Sequence, residues 1–247
     1  NGGTVTLSAD GSFSYTPSAG NTTGTDSFTY TLLDGYGGSD TATVTISLSN
    51  QDPVATDNSY GVSHNVQLTV NAADGTITGT IPAGADYDPD NSTVGKVFDD
   101  TLAVTPLVAQ PTANGGTVTL SADGSFSYTP SAGNTAGTDS FTYTLNDGHG
   151  GTDTATVTIS LSNQDPVATD NSYGVSHNVQ LTVNSADGTI TGTVPAGADY
   201  DPDNSNPGKV FDDTLAVTPL VAQPTTNGGT VTLSADGSFS YTPSAGN

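Results

Sequence analysis

The 247-residue chain contains no cysteine, methionine, tryptophan, arginine or glutamate, and its only lysines are Lys96 and Lys209. Each absence excludes a class of function. Without cysteine there are no disulfides, thiol nucleophiles or zinc–thiolate sites. Without clustered Lys and Arg nothing neutralises phosphate, so nucleic acid is excluded as a partner. No apolar run is long enough to cross a bilayer as a helix, no signal-peptide pattern is present, and no direct membrane insertion is expected. No stretch carries the apolar stripe of a helix.

What remains is acidic. The 25 acidic residues, all aspartate, leave a formal charge of −23 beside 30 glycines and 14 prolines. Aspartate without glutamate points to carboxylates placed in turns, because Asp favours turns and Glu favours helices. Such a composition suggests disorder, but apolar residues alternate with threonine in runs that a disordered tract has no reason to keep. Self-repulsion at this charge is expected to keep the chain monomeric.

The stretch NGGTVTLSADGSFSYTPSAGN occurs three times, beginning at Asn1, Asn114 and Asn227. Residues 1–50 differ from 114–163 at four positions, and 51–113 differ from 164–226 at five, so the period is 113 residues at near-identity. That period is far longer than a solenoid unit and matches an independent domain. The expected organisation is a C-terminal part of one repeat at 1–50 (strands D–G), a complete repeat at 51–163, and an N-terminal part of a further repeat at 164–247 (strands A–E).

Period-2 alternation dominates. Val118 and Leu120 lead through Asp123-Gly124 to Phe126 and Tyr128, a hairpin. SFTYTL and TATVTISL form a second hairpin across NDGHGGTD. Val54–Val62, Val66–Val70 and Leu102–Val108 read as three more strands, with a short extended segment over 75–81. About seven short strands in about 110 residues predict an all-β chain of tandem Ig-like antiparallel β-sandwiches joined end to end. Alternation leaves open which face of each strand is buried.

Seven-strand topology gathers the linker and the BC, DE and FG loops at one end. For 51–163 that end collects Asp52, then Asp86, Asp88 and Asp90 of ADYDPDN, Asp99, Asp100, Asp123, and Asp147 and Asp153 of the FG loop. The preceding repeat offers Asp26 beside its EF loop, and Asn50. Carboxylates this close repel, and a hard cation resolves the repulsion. Calcium takes six to eight oxygen ligands in flexible geometry, and Gly-rich loops let backbone carbonyls turn inward.

QDPVATDNSY, DPDN, GGTVTLSADGSFSYTP and TDSFTYTLNDGHGGTDTATVTI resemble the bacterial Ig-like, cadherin-like tandem repeats of giant RTX adhesins. The resemblance covers the whole chain. It implies calcium-stiffened extender domains on the outside of the cell, anchored at the outer membrane through another region, with neighbouring repeats of one chain as partners through calcium-bridged junctions. It places calcium at the linkers, which carries over to Asn50, Asp52 and Asp57, the DPDN aspartates and the FG-loop aspartates. With the repeat equivalents, the candidate ligands are Asp26, Asp34, Asp40, Asn50, Asp52, Asp57, Asp86, Asp88, Asp90, Asp139, Asp147, Asp153, Asn163, Asp165, Asp170, Asp199, Asp201 and Asp203. Gln51-Asp52 departs from the Asn-Asp of many family linkers, and the insertion STVGKVFDD has no assigned role.

No catalysis is expected. His64 and His177 occupy equivalent SHN turns away from the acidic end, and His149 is Tyr36 in the neighbouring copy. Paired carboxylates could serve a glycosidase, but no aromatic sugar platform accompanies them. A carbohydrate- or ice-binding module is the alternative, on rows such as Thr154, Thr156 and Thr158. Outward threonine is also ordinary strand composition.

Overall fold

The computed structural model describes residues 2–78, 85–92, 96, 100–190 and 198–245. Strands account for 43% of the chain and helix for 3%, so it is all-β. The first fifty residues form two hairpins, β1 (Thr4–Leu7) with β2 (Phe13–Thr16) and β3 (Gly24–Leu33) with β4 (Ser39–Leu48). Then follow β5 (Asn58–Ser63), β6 (Leu68–Val70), β7 (Ala103–Val104), β8 (Leu107–Pro111), β9 (Thr117–Leu120), β10 (Phe126–Thr129), β11 (Gly137–Asn146) and β12 (Thr152–Ser162). They build two four-stranded sheets, in the orders β6-β10-β9-β8 and β5-β12-β11-β7. The chain continues with β13 (Leu181–Val183), β14 (Leu220–Pro224), β15 (Thr230–Leu233) and β16 (Phe239–Thr242), a sheet ordered β13-β16-β15-β14 that repeats the first of these. By its contacts the chain divides into two compact units. One comprises residues 1–60, 69–128 and 139–159, the other 61–68, 129–138 and 160–247.

Both expected hairpins form. Three strand expectations are corrected in their extent. The Leu102–Val108 run is two strands, because Thr105-Pro106 interrupts it. Val104 pairs with Leu145 in one sheet, and Leu107 pairs with Leu120 in the other. Proline supplies no N–H to a ladder, so the crossing falls where pairing is already broken. Val54 makes only an isolated bridge with Tyr87, and regular pairing starts at Asn58. Val66 likewise lies outside β6 and bridges Lys209. Residues 75–78 are turn and bend rather than extended, and 79–81 fall outside the described residues, as do Asp99 and most of the STVGKVFDD insertion.

The core settles which face is buried. Val118, Leu120, Phe126 and Tyr128 point inward from one sheet, and Phe141, Tyr143, Leu145, Val157 and Ile159 from the other. The Phe126 ring meets Phe141 edge-on at a centroid distance of 5.4 Å and Tyr60 at 5.1 Å, the geometry that aromatic quadrupoles favour. Burial depends on both sheets being present. Leu120 and Phe126 are 1% and 3% exposed, whereas their copies Leu7 and Phe13, in a two-stranded ribbon, are 45% and 48% exposed.

Phe126→Ala should therefore cost about 3–5 kcal/mol, the usual range for a buried phenylalanine, and Phe13→Ala less than half of that. Urea unfolding followed by circular dichroism measures both, and equal losses would contradict the assigned core.

Candidate functional site

The acidic loop of the first unit is positioned by a two-residue bridge. Val54 N–H donates to the Tyr87 carbonyl at 2.8 Å and Tyr87 N–H to the Val54 carbonyl at 3.1 Å, which holds Asp86–Asn91 beside the linker. Gln51 then clamps the loop. Its backbone N–H and its side-chain Nε2 each donate to the Asp90 carboxylate at 2.8 Å. The departure from Asn-Asp thus has a structural use, since the glutamine amide engages Asp90. Gln164 does the same to Asp203, at 2.7 and 3.1 Å.

The FG loop closes the site from the other side. Asn50 Nδ2 donates to Asp147 Oδ2 at 2.7 Å, and Asp147 Oδ1 accepts from His149 N–H at 2.7 Å and Gly151 N–H at 3.0 Å. Gly151 is required by closeness. A Cβ there would collide with the Asp147 carboxylate and lie 3.0 Å from Asp52 Oδ1 and 3.1 Å from Asn50 Nδ2. Linker, BC loop and FG loop meet at one end of the domain, as the topology predicts.

The electrostatics show what this convergence leaves unsatisfied. Carboxylate oxygens of Asp88, Asp90 and Asp100 lie within 4.8 Å of one another. At an effective dielectric of about 20, two full charges 4 Å apart repel by about 4 kcal/mol. Asp88 is 2% exposed. Burial, together with repulsion from Asp100, Asp90 and Asp147, raises its pKa against the hydrogen bond it accepts from Asp90 N–H. Its Oδ2 is buried without a hydrogen-bond partner among the described residues. Burial also pushes Asp86 up to about 6, opposed by the Thr56 N–H and Tyr143 hydroxyl that donate to it and reinforced by Asp153. Asp147 goes the other way. Burial raises it, but the donors Asn50, His149 and Gly151 outweigh that and hold it below the ordinary carboxylate value. Asp100 Oδ1 is likewise buried without a hydrogen bond among the described residues, with the His149 imidazole near it. An all-oxygen donor set of this kind fits a hard divalent cation such as calcium. It does not fit a transition metal that prefers nitrogen or sulfur.

The remaining sequence candidates divide by surroundings. Asp153 accepts from Ala55 N–H at 2.9 Å and Asp57 from Thr156 N–H at 2.8 Å, tying the linker side to β12. Asp139 is buried at 1% exposure and accepts from Thr112, Tyr128, Asn114 N–H and Ser140 N–H, a hub inside its own domain. Asp26 repeats part of this with Tyr15 and Ser27, while Asp34 and Asp40 accept backbone N–H groups within their own hairpin. In the second unit Asp201 and Asp203 are buried and Asp199 accepts from Thr169 N–H at 2.7 Å. Asn163, Asp165 and Asp170 are exposed there, and Asn163 Nδ2 donates to the Gln164 carbonyl at 3.0 Å.

Sequence reasoning left three residues of possible metal groups out of its candidates. Asp100 joins Asp88 and Asp90, and its carboxylate meets His149 Nε2 at 2.9 Å. His64, expected away from acidic groups, is instead fully buried in the second unit among Asp203 and Asp213. Asp213 is the repeat equivalent of Asp100. Period and spacing reveal that equivalence, but nothing local in SHN announces the contact.

The model of the bacterial cadherin-like domain matches residues 1–49 and 50–162, and that of a bacterial Ig domain matches 163–247. No curated protein matches the chain. Among solved structures, the extracellular domain of protocadherin GammaB4 is 14% identical with a TM-score of 0.33 over 98% of this chain and 36% of that one. An endo-fucoidan hydrolase of glycoside hydrolase family 107 is 16% identical with a TM-score of 0.27 over 98% and 33% respectively. The chain thus spans about a third of the length of these structures.

The Asp86 shift sets a pH dependence. A carboxyl whose folded pKa is raised binds its proton more tightly in the folded chain. The stability it contributes is therefore full at low pH and is lost as pH rises from the ordinary 3.8 through about 6. In EDTA, the melting temperature of the wild type should fall relative to that of Asp86→Asn between about pH 4 and pH 7. A difference that stays flat over this range would remove Asp86 as the titrating group.

Proposed function

The chain belongs to the bacterial cadherin-like domain family, and on that premise we propose that it is a calcium-stiffened extender segment of a large bacterial surface adhesin. Its role is to hold a distal ligand-binding region away from the cell. The observation that carries this reading is the Asp88–Asp90–Asp100 cluster with its orphaned Asp88 oxygen, set against the linker residues Asn50, Gln51 and Asp52. Twelve aspartates against Lys96 leave a net eleven negative charges per 113-residue repeat, and the linker between repeats, SNQDP, is only a few residues long. Calcium held by Asp88, Asp90 and Asp100, with Asp86 and Asp52 adjacent, would supply the positive charge that these loops lack. Asn50 and Gln51 orient Asp147 and Asp90 from the linker side, so binding energy is also ordering energy. Lying outside the cell fits this family, whose bacterial Ig-like and cadherin-like domains are typically extracellular. Both matched families are structural domains and no catalytic role is assigned.

Extracellular modules bind calcium at about 10⁻⁴ to 10⁻³ M. At about 100 times Kd, one site adds about 2.7 kcal/mol to a folded domain, a large fraction of its stability. Small-angle scattering of the chain in calcium and then in EDTA tests the function. The maximum dimension should be sharply defined with calcium and should blur or shrink without it. Asp88→Asn should lower the calcium-dependent melting temperature, and Asp52→Asn should loosen the junction while leaving each domain folded. An unchanged scattering profile would defeat the stiffening role even if the ion binds.

A further inference from the structure

The second unit contains a contact built from backbone as well as side chains, beside a group, His64, Asp203 and Asp213, close enough to hold a metal ion. The turn Ser63–Val66 and the segment Gly208–Asp213 come from successive copies of the repeat, and they meet as a short antiparallel bridge, Val66 opposite Lys209. Val210 N–H donates to the Asn65 carbonyl at 2.7 Å and Gln67 N–H to the Gly208 carbonyl at 3.3 Å. Gly208 adopts φ +77, the left-handed region that Pro207-Gly208 serves in a turn. Side chains complete the contact. His64 Nε2 stands 2.8 Å from Asp213 Oδ1, and Nδ1 stands 3.3 Å from the Ser162 carbonyl and 3.6 Å from Asp203 Oδ2. Asn65 Nδ2 donates to the Asp203 carbonyl at 3.0 Å. His64 and Asn65 are both 0% exposed. His64 and the Asn65 amide nitrogen are partnered across the contact, while Asn65 Oδ1 is buried without a hydrogen-bond partner among the described residues.

The same tetrapeptide, Ser-His-Asn-Val, recurs at 176–179, where residues 174–180 are all exposed. The hexapeptide Gly-Lys-Val-Phe-Asp-Asp likewise occurs unchanged at 95–100 and 208–213. The turn is therefore buried at His64 and Asn65 in one copy and exposed in the other, and the difference lies in the Gly208–Asp213 segment seated against the first.

We propose that the Ser-His-Asn-Val turn is a docking site for the Gly-Lys-Val-Phe-Asp-Asp segment of another repeat of this chain. It forms a metal-free lock between successive repeats, with His64, Asn65 and Asp213 as its side-chain elements. This gives a role to the insertion that sequence reading could not place. The lock shares Asp203 and Asp213 with a possible metal group, so it is tested in chelator, where it and the stiffening reading fail separately.

Amide hydrogen exchange of the full chain in EDTA tests it. The Gln67 and Val210 amides should be protected at least about tenfold more than the amide of Gln180, the repeat equivalent of Gln67. His64→Ala and Asp213→Ala should each abolish that excess, and His177→Ala should leave it intact. The amides of Leu145 and Val157 report whether the sandwich is still folded. If His64→Ala unfolds it, Asp213→Ala on the opposite side of the contact decides. Gln67 and Val210 exchanging as fast as Gln180 in wild-type chain without metal would overturn the lock, as would protection that survives both substitutions.

Discussion

Carboxylates gathered with almost no positive side chain to answer them are the constraint on which the rest of this structure depends. The described ends of the domains manage that charge with uncharged donors. Backbone N–H groups of Thr56, Gln51, His149 and Gly151, the amides of Asn50 and Gln51, and the Tyr143 hydroxyl all point at aspartates. Donors of this kind lower the cost of one carboxylate at a time, and where they are plentiful, as at Asp147 and Asp139, the pKa falls despite burial. Where they run short, at Asp86 and Asp88, burial wins and the pKa rises. That shortage is what the proposed cation would answer. The split separates carboxylates that the fold itself satisfies from those it leaves short of donors. Asp139 carries the same charge as Asp88, but its four donors make it part of the domain's frame.

Much of the fold was legible because it is written locally. Alternation of Thr with Val, Ile, Leu, Phe or Tyr marks the long strands, Asp-Gly marks the tight turn, and a 113-residue period marks the domain. What was not legible depends on partners distant in sequence. Tyr128 and Tyr143 alternate with polar residues as a half-exposed tyrosine would. Their burial follows from the second sheet and from hydroxyls that find Asp139 and Asp86. The division of Leu102–Val108 between two sheets depends on which neighbours each half meets. Ala109, at φ 46 within a register shift between β8 and β9, is a further irregularity that composition does not announce.

The acidic site was legible in outline for a similar reason. Loops that a seven-strand topology brings to one end can be named from strand order alone, and DPDN and DGHGGTD fall among them. Gln51, Asp100 and His64 were harder because each works on a residue about 39, 10 or 149 positions away. A glutamine in a linker looks like spacer composition until its amide is seen on Asp90.

Near-identity of the copies turns these local facts into a property of the chain. Gln51 acts on Asp90 as Gln164 acts on Asp203, and the Val54–Tyr87 bridge recurs as Val167–Tyr200. Each copy therefore carries a linker that clamps an acidic loop, and the turn and insertion that the proposed lock would pair. A unit that encodes both halves can be added without redesigning its neighbours, so length can change by copy number while the interface chemistry stays fixed. Selection on such an array acts on the repeat as a whole. A substitution in Gln51, His64 or Asp213 would have to be tolerated at every junction where it is copied. On this argument differences between copies should fall away from junction contacts, as Ala72/Ser185 and Ala113/Thr226 do in their turns. Thr93/Asn206 and Val94/Pro207 do not, since Asn206 donates to Asp203 and Pro207 precedes Gly208 in the turn, and neither does Tyr36/His149. His149 reaches Asp100, whereas Tyr36 stands 97% exposed, so the one histidine that varies between copies is the one that adds a partner to an acidic cluster already short of donors.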